Sequence, residues 1–439
     1  MTSPHTTPHT TPLTTPLSSP LPPRPVPTRH SPSGAPALRP LRGVAARPAR
    51  PIRVAVIGNH PPRRCGIATF TRDVADGLER LGCTLHVTAM DDGACGGAYP
   101  RRVASLMDAS SREAHVRAGE AIAAWAPDVV LVQHEFGIYG GPSGLWLNDV
   151  LERACAPVVA TMHTVLEHPS PPEARALAAL AGRAERLIVM ARAGADILSR
   201  GGQGWRGIGR ERIAVVPHGA PDRAMERPRD ARARLGWEEA PTLLTFGLLS
   251  PGKGIEHVID ALPRILAAVP HARYVLLGAT HPNLLAREGE AYRNSLVARA
   301  ERLGVAAALR MVPRFVDNVE LCDALAAADL YVTPYGNPAQ ITSGTLAYAL
   351  ALGKPVVSTP YAHAREVLPS DQLVPHGDAG ALGERVAALL SDPARLDAIT
   401  RRTWVGARGT IWPAVARRTL DVLEGAARSD ASVTREAAE

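Results

Sequence analysis

Thr242-Leu-Leu-Thr-Phe246-Gly247-Leu248-Leu-Ser-Pro-Gly-Lys253-Gly254-Ile255-Glu-His-Val258-Ile259-Asp-Ala-Leu262 decides the architecture of this 439-residue chain. Its first five residues form a short, nearly continuous apolar run, as a strand covered on both faces requires. Gly247 to Gly254 contain three glycines and a proline, which end the strand. Ile255, Val258, Ile259, Leu262 and Leu266 then recur at helical spacing. Strand, glycine-rich turn and helix are the first half of a right-handed parallel crossover. The turn also precedes a helix N-terminus, whose free backbone N–H groups and dipole favour a phosphate, and Lys253 adds a point charge. The same string fits a P-loop up to its last position. There Gly254 replaces the Ser or Thr hydroxyl that would hold magnesium, and no acidic magnesium partner is evident. The alternative is an ordinary strand-to-helix turn with a surface lysine.

Downstream, the pattern repeats at Tyr274–Leu277, Leu309–Val312, Leu330–Thr333 and Pro355–Ser358. Upstream, a first series of apolar runs occupies Arg53–Gly58, Asp128–Val132, Pro157–Thr161, Leu187–Met190 and Ile213–Val216. Helical patterns lie between them. Phe70, Val74, Leu78 and Leu81 form one, stopped by Gly82; Leu147, Val150, Leu151 and Ala154 form another. The polar, Arg-rich stretch Pro217–Trp237 reads as a linker. Two doubly wound α/β domains in tandem follow. Ligands of such sheets bind beyond the carboxyl ends of the strands, so the cleft between the domains is the predicted site.

Three more segments bring reactive or ligand-holding groups to strand ends. In Tyr335 to Val357, the residues Thr342, Ser343 and Thr345 flank Gly344 where a helix should start, with Ser343 as its N-cap. Capping and anion binding are compatible, because a helix N-terminus has four spare donors. In the first domain, Gln133-His134-Glu135-Phe136-Gly137 follows one strand and Thr161-Met162-His163-Thr164 another. A lone histidine is usually a core residue; two at equivalent strand ends point to a site. His60-Pro-Pro-Arg-Arg-Cys-Gly66 links the first strand to the first helix. It lacks G-x-G-x-x-G, which disfavours a dinucleotide oxidoreductase.

Composition narrows the class. Hydrophobic residues make up 46%, enough for two cores. The formal charge is +7, but residues 1–50 hold six arginines and no Asp or Glu, so the rest is near neutral. The basic balance therefore does not argue for nucleic acid. No apolar run is long enough to span a membrane, and no secretory signal is evident. A cytoplasmic protein with at most peripheral membrane contact is expected. The five cysteines, Cys65, Cys83, Cys95, Cys155 and Cys322, lack metal-ligand or redox-pair spacing.

These segments, in this order, resemble the family 4 glycosyltransferases, retaining enzymes of the GT-B fold. The similarity covers residues 53–428. Its most specific parts are the Gly247–Gly254 loop, the Val215-Val-Pro-His-Gly219 turn and the Leu350-Ala-Leu-Gly-Lys-Pro-Val-Val357 run. The resemblance implies a nucleotide-sugar donor, an unidentified acceptor and neither metal nor cofactor. It implies that Lys253 and Gly247 meet the donor diphosphate. The Thr342–Leu346 segment (Thr342, Ser343, Gly344, Thr345, Leu346) would bind the donor phosphates, with Gly66 opposite. His134, Glu135 and His163 would position sugar and acceptor, and Glu366 would join the donor site. Catalytic roles would fall to His134, Lys253 and Gln340. The chain departs from the family at Leu248, where an Arg is usual. It also departs at Gln340 and Tyr348, which occupy the places of a paired glutamate signature. No Asp-x-Asp string is present.

The expected layout is a disordered leader over 1–51, an acceptor-side domain over 52–225 and a donor domain over 226–405. A helix crossing back over 406–428 and a disordered tail over 429–439 complete it. Sugar phosphorylases, nucleotide-sugar epimerases and non-catalytic sugar- or nucleotide-binding proteins share this architecture, and fold alone does not separate them.

Overall fold

The computed structural model describes residues 50–436 apart from 92, 94–97 and 203. Nearly all of the leader, and Cys95, lie outside the described residues. The first sheet contains β1 (Arg53–Gly58), β2 (Thr84–Asp91), β3 (Val103–Asp108), β4 (Val129–His134), β5 (Val158–Met162), β6 (Ala184–Val189) and β7 (Ile213–Val215). Their order is β3-β2-β1-β4-β5-β6-β7, and every pairing is parallel. The second sheet contains β8 (Thr242–Phe246), β9 (Arg273–Leu277), β10 (Leu309–Val312), β11 (Leu330–Thr333) and β12 (Val356–Ser358), ordered β10-β9-β8-β11-β12 and again all parallel.

Eight helices matter for the site. They are α1 (Gly66–Arg80), α2 (Arg192–Arg200), α3 (Pro228–Leu235), α4 (Ile255–Ala268), α5 (Asn318–Ala327), α6 (Gly344–Ala351), α7 (Ala362–Val367) and α8 (Trp412–Glu436). The two-residue period of β1 divides its side chains between two cores. Ala55 and Ile57 enter one, while Val54 and Val56 enter the other with Phe70, Val74 and Leu78 of α1.

The periodic reading misses β2 and β3. β3 is the sheet edge, and five of its six residues are at least partly exposed, Met107 alone being buried. It therefore never shows the continuous apolar run of an inner strand. Pro217–Trp237 is not wholly irregular, since α3 forms within it. Arg232 of α3 is buried and pairs with Asp329 and Glu239 at 2.8 Å each, which explains how an Arg-rich stretch packs.

The last helix also differs from the sequence reading. Ala407–Thr410 make a short 3-10 turn, and α8 starts at Trp412 rather than at 406. Pro413, which lacks an N–H, suits the first turn. The helix runs through Glu436, so the segment assigned to a tail is helical for most of its length. Val415, Leu420, Leu423 and Ala426 pack with Val54, Val56 and Phe70, so the chain's end completes the first domain's core. Where the chain crosses between domains, Ala220 N–H donates to Thr410 O (3.0 Å) and Trp412 N–H to Ala220 O (2.9 Å). No helix among the described residues is long and apolar enough to cross a membrane.

Candidate functional site

One wall of the cleft is built where β8 and β11 end. Gly247 adopts φ +118, a conformation that favours glycine. A Cβ placed on it would lie 3.4 Å from Thr345 Cγ2 and 3.5 Å from Lys253 Nζ. Gly247 and Lys253 of one loop thus share a small volume with Thr345 from a segment far along the chain. Lys253 Nζ donates to the Tyr335 hydroxyl (2.7 Å) and lies 4.4 Å from its ring centroid. That hydroxyl bonds Thr345 Oγ1 (2.9 Å), which in turn is 3.1 Å from Ser343 Oγ. Burial pushes the Tyr335 hydroxyl up, but the Lys253 charge and these bonds more than offset it, and its pKa is lowered.

Ser343 caps α6, its Oγ accepting from Leu346 N–H at 3.2 Å. Its own N–H donates to His363 Nδ1 at 2.9 Å. The N–H groups of Gly344 and Thr345 have no partner among the described residues. Leu346 is corrected here. Its N–H is taken by the cap and its side chain is fully buried. Gln340 closes its own loop, with Nε2 donating to Thr342 O at 2.7 Å.

Glu366 is a second correction. It does not join the phosphate-facing group. Its carboxylate accepts from the N–H groups of Arg192 (3.0 Å) and Ala193 (3.3 Å) at the start of α2, in the other domain. The physical reason lies in α2, whose N-cap is Ala191 and which has no side-chain cap of its own.

The opposite wall belongs to the first domain. His134 ends β4 at 2% exposure, edge-on to Phe136 (5.0 Å between centroids). Its Nδ1 has no partner, and burial lowers its pKa to about 4. His163 N–H donates to His134 O (3.0 Å), and its Nε2 is 2.9 Å from Gln133 Oε1. Burial, and then the neighbouring His218 and His134, lower its pKa to about 3. Both rings are therefore neutral at pH 7. Glu135 braces this loop rather than facing a ligand. It accepts from Phe136 N–H (2.9 Å) and Thr164 Oγ1 (2.6 Å), and burial raises its pKa. Gly66, the first residue of α1, is exposed and has no heavy atom within 4 Å of its Cβ position.

The walls meet at residues outside the predicted site set. Phe70 contacts the rings of His163, His218 and Trp412 at centroid distances of 4.8, 5.0 and 5.0 Å. His218 Nδ1 is 2.7 Å from Gly219 O, which fixes it as the donor and leaves Nε2 as the acceptor. A Cβ on Gly344 would come within 2.7 Å of that Nε2. His218 was visible in the sequence only as part of a turn, and Tyr335 only as a residue after a strand. Phe70 carried a core-facing signal, which it also obeys. Among the described residues, no cluster of His, Cys, Asp and Glu suits a metal ion.

The family described as "Glycosyl transferases group 1" matches residues 240–392, and that described as "Glycosyltransferase Family 4" matches residues 65–223. Curated relatives include a D-inositol 3-phosphate glycosyltransferase of Segniliparus rotundus. It is 32% identical over 231 residues, 50% of this chain and 49% of the relative. A GDP-mannose-dependent monoacylated alpha-(1-6)-phosphatidylinositol monomannoside mannosyltransferase of Corynebacterium glutamicum is 28% identical over 212 residues, 45% and 51% of the two chains. The chain thus spans about half the length of the curated relatives it matches. Among solved structures, Anabaena HepE in complex with UDP and glucose superposes with a TM-score of 0.69 at 18% identity, covering 85% of this chain and 100% of that one. Sucrose-phosphate synthase from Thermosynechococcus elongatus gives 0.68 at 18%, covering 85% and 98%. At these identities the structures establish the two-domain fold.

Proposed function

Since the chain belongs to the family 4 glycosyltransferases, we propose that it transfers a hexosyl group from a nucleotide-linked donor to a hydroxyl-bearing acceptor, with retention and without a metal. The observation that carries this reading is the convergence of Gly247, Lys253, Tyr335 and Thr345 on the open N-terminus of α6. Such a cradle suits a diphosphate. Lys253 supplies the charge, and the Gly344 and Thr345 N–H groups supply directed donors. In transfer, the bond from the sugar's anomeric carbon to the leaving phosphate oxygen breaks while the acceptor oxygen bonds the same carbon on the same face. The acceptor's proton passes to the leaving phosphate. The cradle stabilises the charge that develops there. Neutral His134 would hydrogen-bond the sugar rather than attack it. Closure of the domains would exclude water, which otherwise hydrolyses an activated sugar. The name of the Corynebacterium glutamicum relative points to a mannosyl donor, and HepE was solved with UDP and glucose. Use of a nucleotide-linked donor fits a cytoplasmic protein. Thr342 and Gln340 would shape the donor's sugar side, and Gly66 would leave room for it.

The test is thermal stabilisation of the full chain by GDP, UDP, ADP and inorganic phosphate. A ligand at 100 times its Kd should stabilise by about 2.7 kcal/mol. Stabilisation by one nucleoside diphosphate supports the transferase and names the donor class. Stabilisation by phosphate alone would replace it with a phosphorylase, and none by any of the four would remove it.

A further inference from the structure

Lys253 is the only charged side chain from Gly247 to Gly254. A lysine stem is flexible, and holding it in one rotamer costs conformational entropy. Here Tyr335 pins it. Backbone contacts first join the turn of Lys253 to the turn that follows β11. Gly336 N–H donates to Gly252 O at 3.1 Å. Gly254 has φ +65, and a Cβ on it would lie 2.1 Å from Pro334 O, so only glycine lets the two turns approach. Lys253 and Tyr335 are thereby set side by side.

Tyr335 itself is held firmly. It is 6% exposed, and its ring stacks on Tyr361 at 5.1 Å between centroids, 20° from parallel. Its carbonyl accepts from Thr359 Oγ1 at 2.6 Å. An ammonium only donates. The Tyr335 oxygen therefore accepts from Lys253 Nζ (2.7 Å), and the phenol proton goes to Thr345 Oγ1 (2.9 Å). At the other end, Ser343 Oγ accepts from Leu346 N–H and is 3.1 Å from Thr345 Oγ1. The chain of Tyr335, Thr345 and Ser343 thus has three hydroxyl protons and two internal links. Both ends receive donors, so one proton is left at Thr345 or Ser343 for an acceptor outside the chain. That proton and the other Lys253 N–H groups lie beside the N–H groups of Gly344 and Thr345. Donors converge there, as an anionic oxygen requires.

We infer that Tyr335 is a positioning residue for the donor, its hydroxyl holding the Lys253 ammonium where the donor diphosphate binds; this rests on the transferase reading above. Ionisation of the phenol would undo the hold, because a phenolate cancels the Lys253 charge. Burial opposes that ionisation, but Lys253, Thr345 and Ser343 outweigh it and lower the Tyr335 pKa from 10.0. The neighbouring titratable groups behave differently. Burial pushes the Tyr331 and Tyr361 hydroxyls up, and His376 meets the Tyr335 carbonyl (Nδ1 3.1 Å) rather than its hydroxyl. Diphosphate binding should therefore weaken as pH rises toward 10.

Calorimetric titration of the full chain with GDP, UDP and ADP at pH 8 and pH 10 tests it. The proteins are the unsubstituted chain, Tyr335→Phe, Lys253→Ala and the double variant. Phenylalanine keeps the ring beside Lys253 Nζ (4.4 Å to its centroid) and against Tyr361, and removes only the hydroxyl. At pH 8, Tyr335→Phe should weaken nucleoside-diphosphate binding roughly three- to tenfold, the effect of freeing a rotamer-rich side chain. In Lys253→Ala the same substitution should change nothing further. Affinity should fall more from pH 8 to pH 10 in the unsubstituted protein than in Tyr335→Phe, a difference that mere support of the fold would not produce. Thermal melts report on folding. Unchanged or tighter binding by Tyr335→Phe, or losses that add in the double variant, would overturn the inference. If Tyr335→Phe does not fold, the unsubstituted protein decides. Affinity that falls in step with the absorbance of one tyrosinate supports the inference, and affinity independent of pH overturns it. Binding of none of the three nucleotides by the unsubstituted protein would overturn the transferase reading and this inference together, an outcome distinct from failure of the cycle alone.

Discussion

The Tyr348 hydroxyl of the second domain lies 3.4 Å from Asp73 Oδ2 of the first. Asn318 joins them, its Nδ2 3.3 Å from the same Asp73 oxygen and 3.5 Å from the Tyr348 hydroxyl. Tyr348 stands where the resemblance places a glutamate, and here its hydroxyl spans the cleft. Burial raises the Asp73 pKa above 3.8 despite Arg72. A carboxyl with a raised folded pKa binds its proton more tightly in the native state than when unfolded. Its unfavourable contribution is fully present above the raised value and fades as pH falls toward 3.8. Thermal melts of Asp73→Asn and the unsubstituted protein from pH 7 to 4 should show the unsubstituted protein gaining on the variant as pH falls. A pH-independent difference would contradict a buried, raised carboxyl.

His134 should act in the opposite sense. Its folded pKa of about 4 is below the ordinary 6.5, so the unfolded chain takes up a proton first on acidification. Stability should be fully present above pH 6.5 and decline toward pH 4. His134 alone would contribute on the order of 3 kcal/mol to that decline. His134→Gln should flatten the lower part of the stability–pH curve measured by urea unfolding. The same substitution should strongly reduce sugar transfer while the protein stays folded.

Lys253→Ala should weaken nucleoside-diphosphate binding by roughly 10- to 100-fold, because a charge-assisted contact contributes about 1.5–3 kcal/mol. Calorimetric titration reads this directly. Stability should change little, since the Lys253 side chain is only partly buried.

Gly344→Ala would drive a Cβ to 2.7 Å from His218 Nε2. We expect a loss of about 1–3 kcal/mol in stability from the forced displacement. Shortening the other partner should relieve it, so the double variant Gly344→Ala with His218→Ala should recover most of the loss. Additive losses in that cycle would show that the two residues do not touch.

Glu366→Ala should leave two N–H groups of α2 without their partner. The expected loss is about 1 kcal/mol, the usual effect of removing a helix cap. Hydrogen exchange at the Arg192 and Ala193 amides should quicken, while exchange within the second sheet should not.

Much of the fold was legible because burial on both faces writes itself into sequence. β1 and β4 are apolar runs that end in Gly58 and His134, and β5, β8 and β11 are apolar runs followed at once by His163, Gly247 and Pro334, residues that mark where strands stop. Edge strand β3 was not legible, since its half-exposed residues lack that continuous signal. In the site, Ser343 was readable as a cap because capping needs only local backbone geometry. Glu366 and Leu346 were not readable. One is claimed by a helix 174 residues away, and the other by the cap beside it.

Sequence by itself determined the alternation of strand and helix, the two-domain division and the glycine-rich turn that brings Lys253 to a helix N-terminus. These follow from periodicity, backbone freedom and N–H supply, all local properties. Tertiary structure alone decided that Tyr335 links Lys253 to Thr345, that Phe70 receives three rings, and that Tyr348 and Glu366 spend their polar atoms across the cleft. Those outcomes depend on which groups meet when two sheets and the returning α8 pack. A buried polar atom takes the nearest partner packing leaves it, whatever the sequence around it suggests.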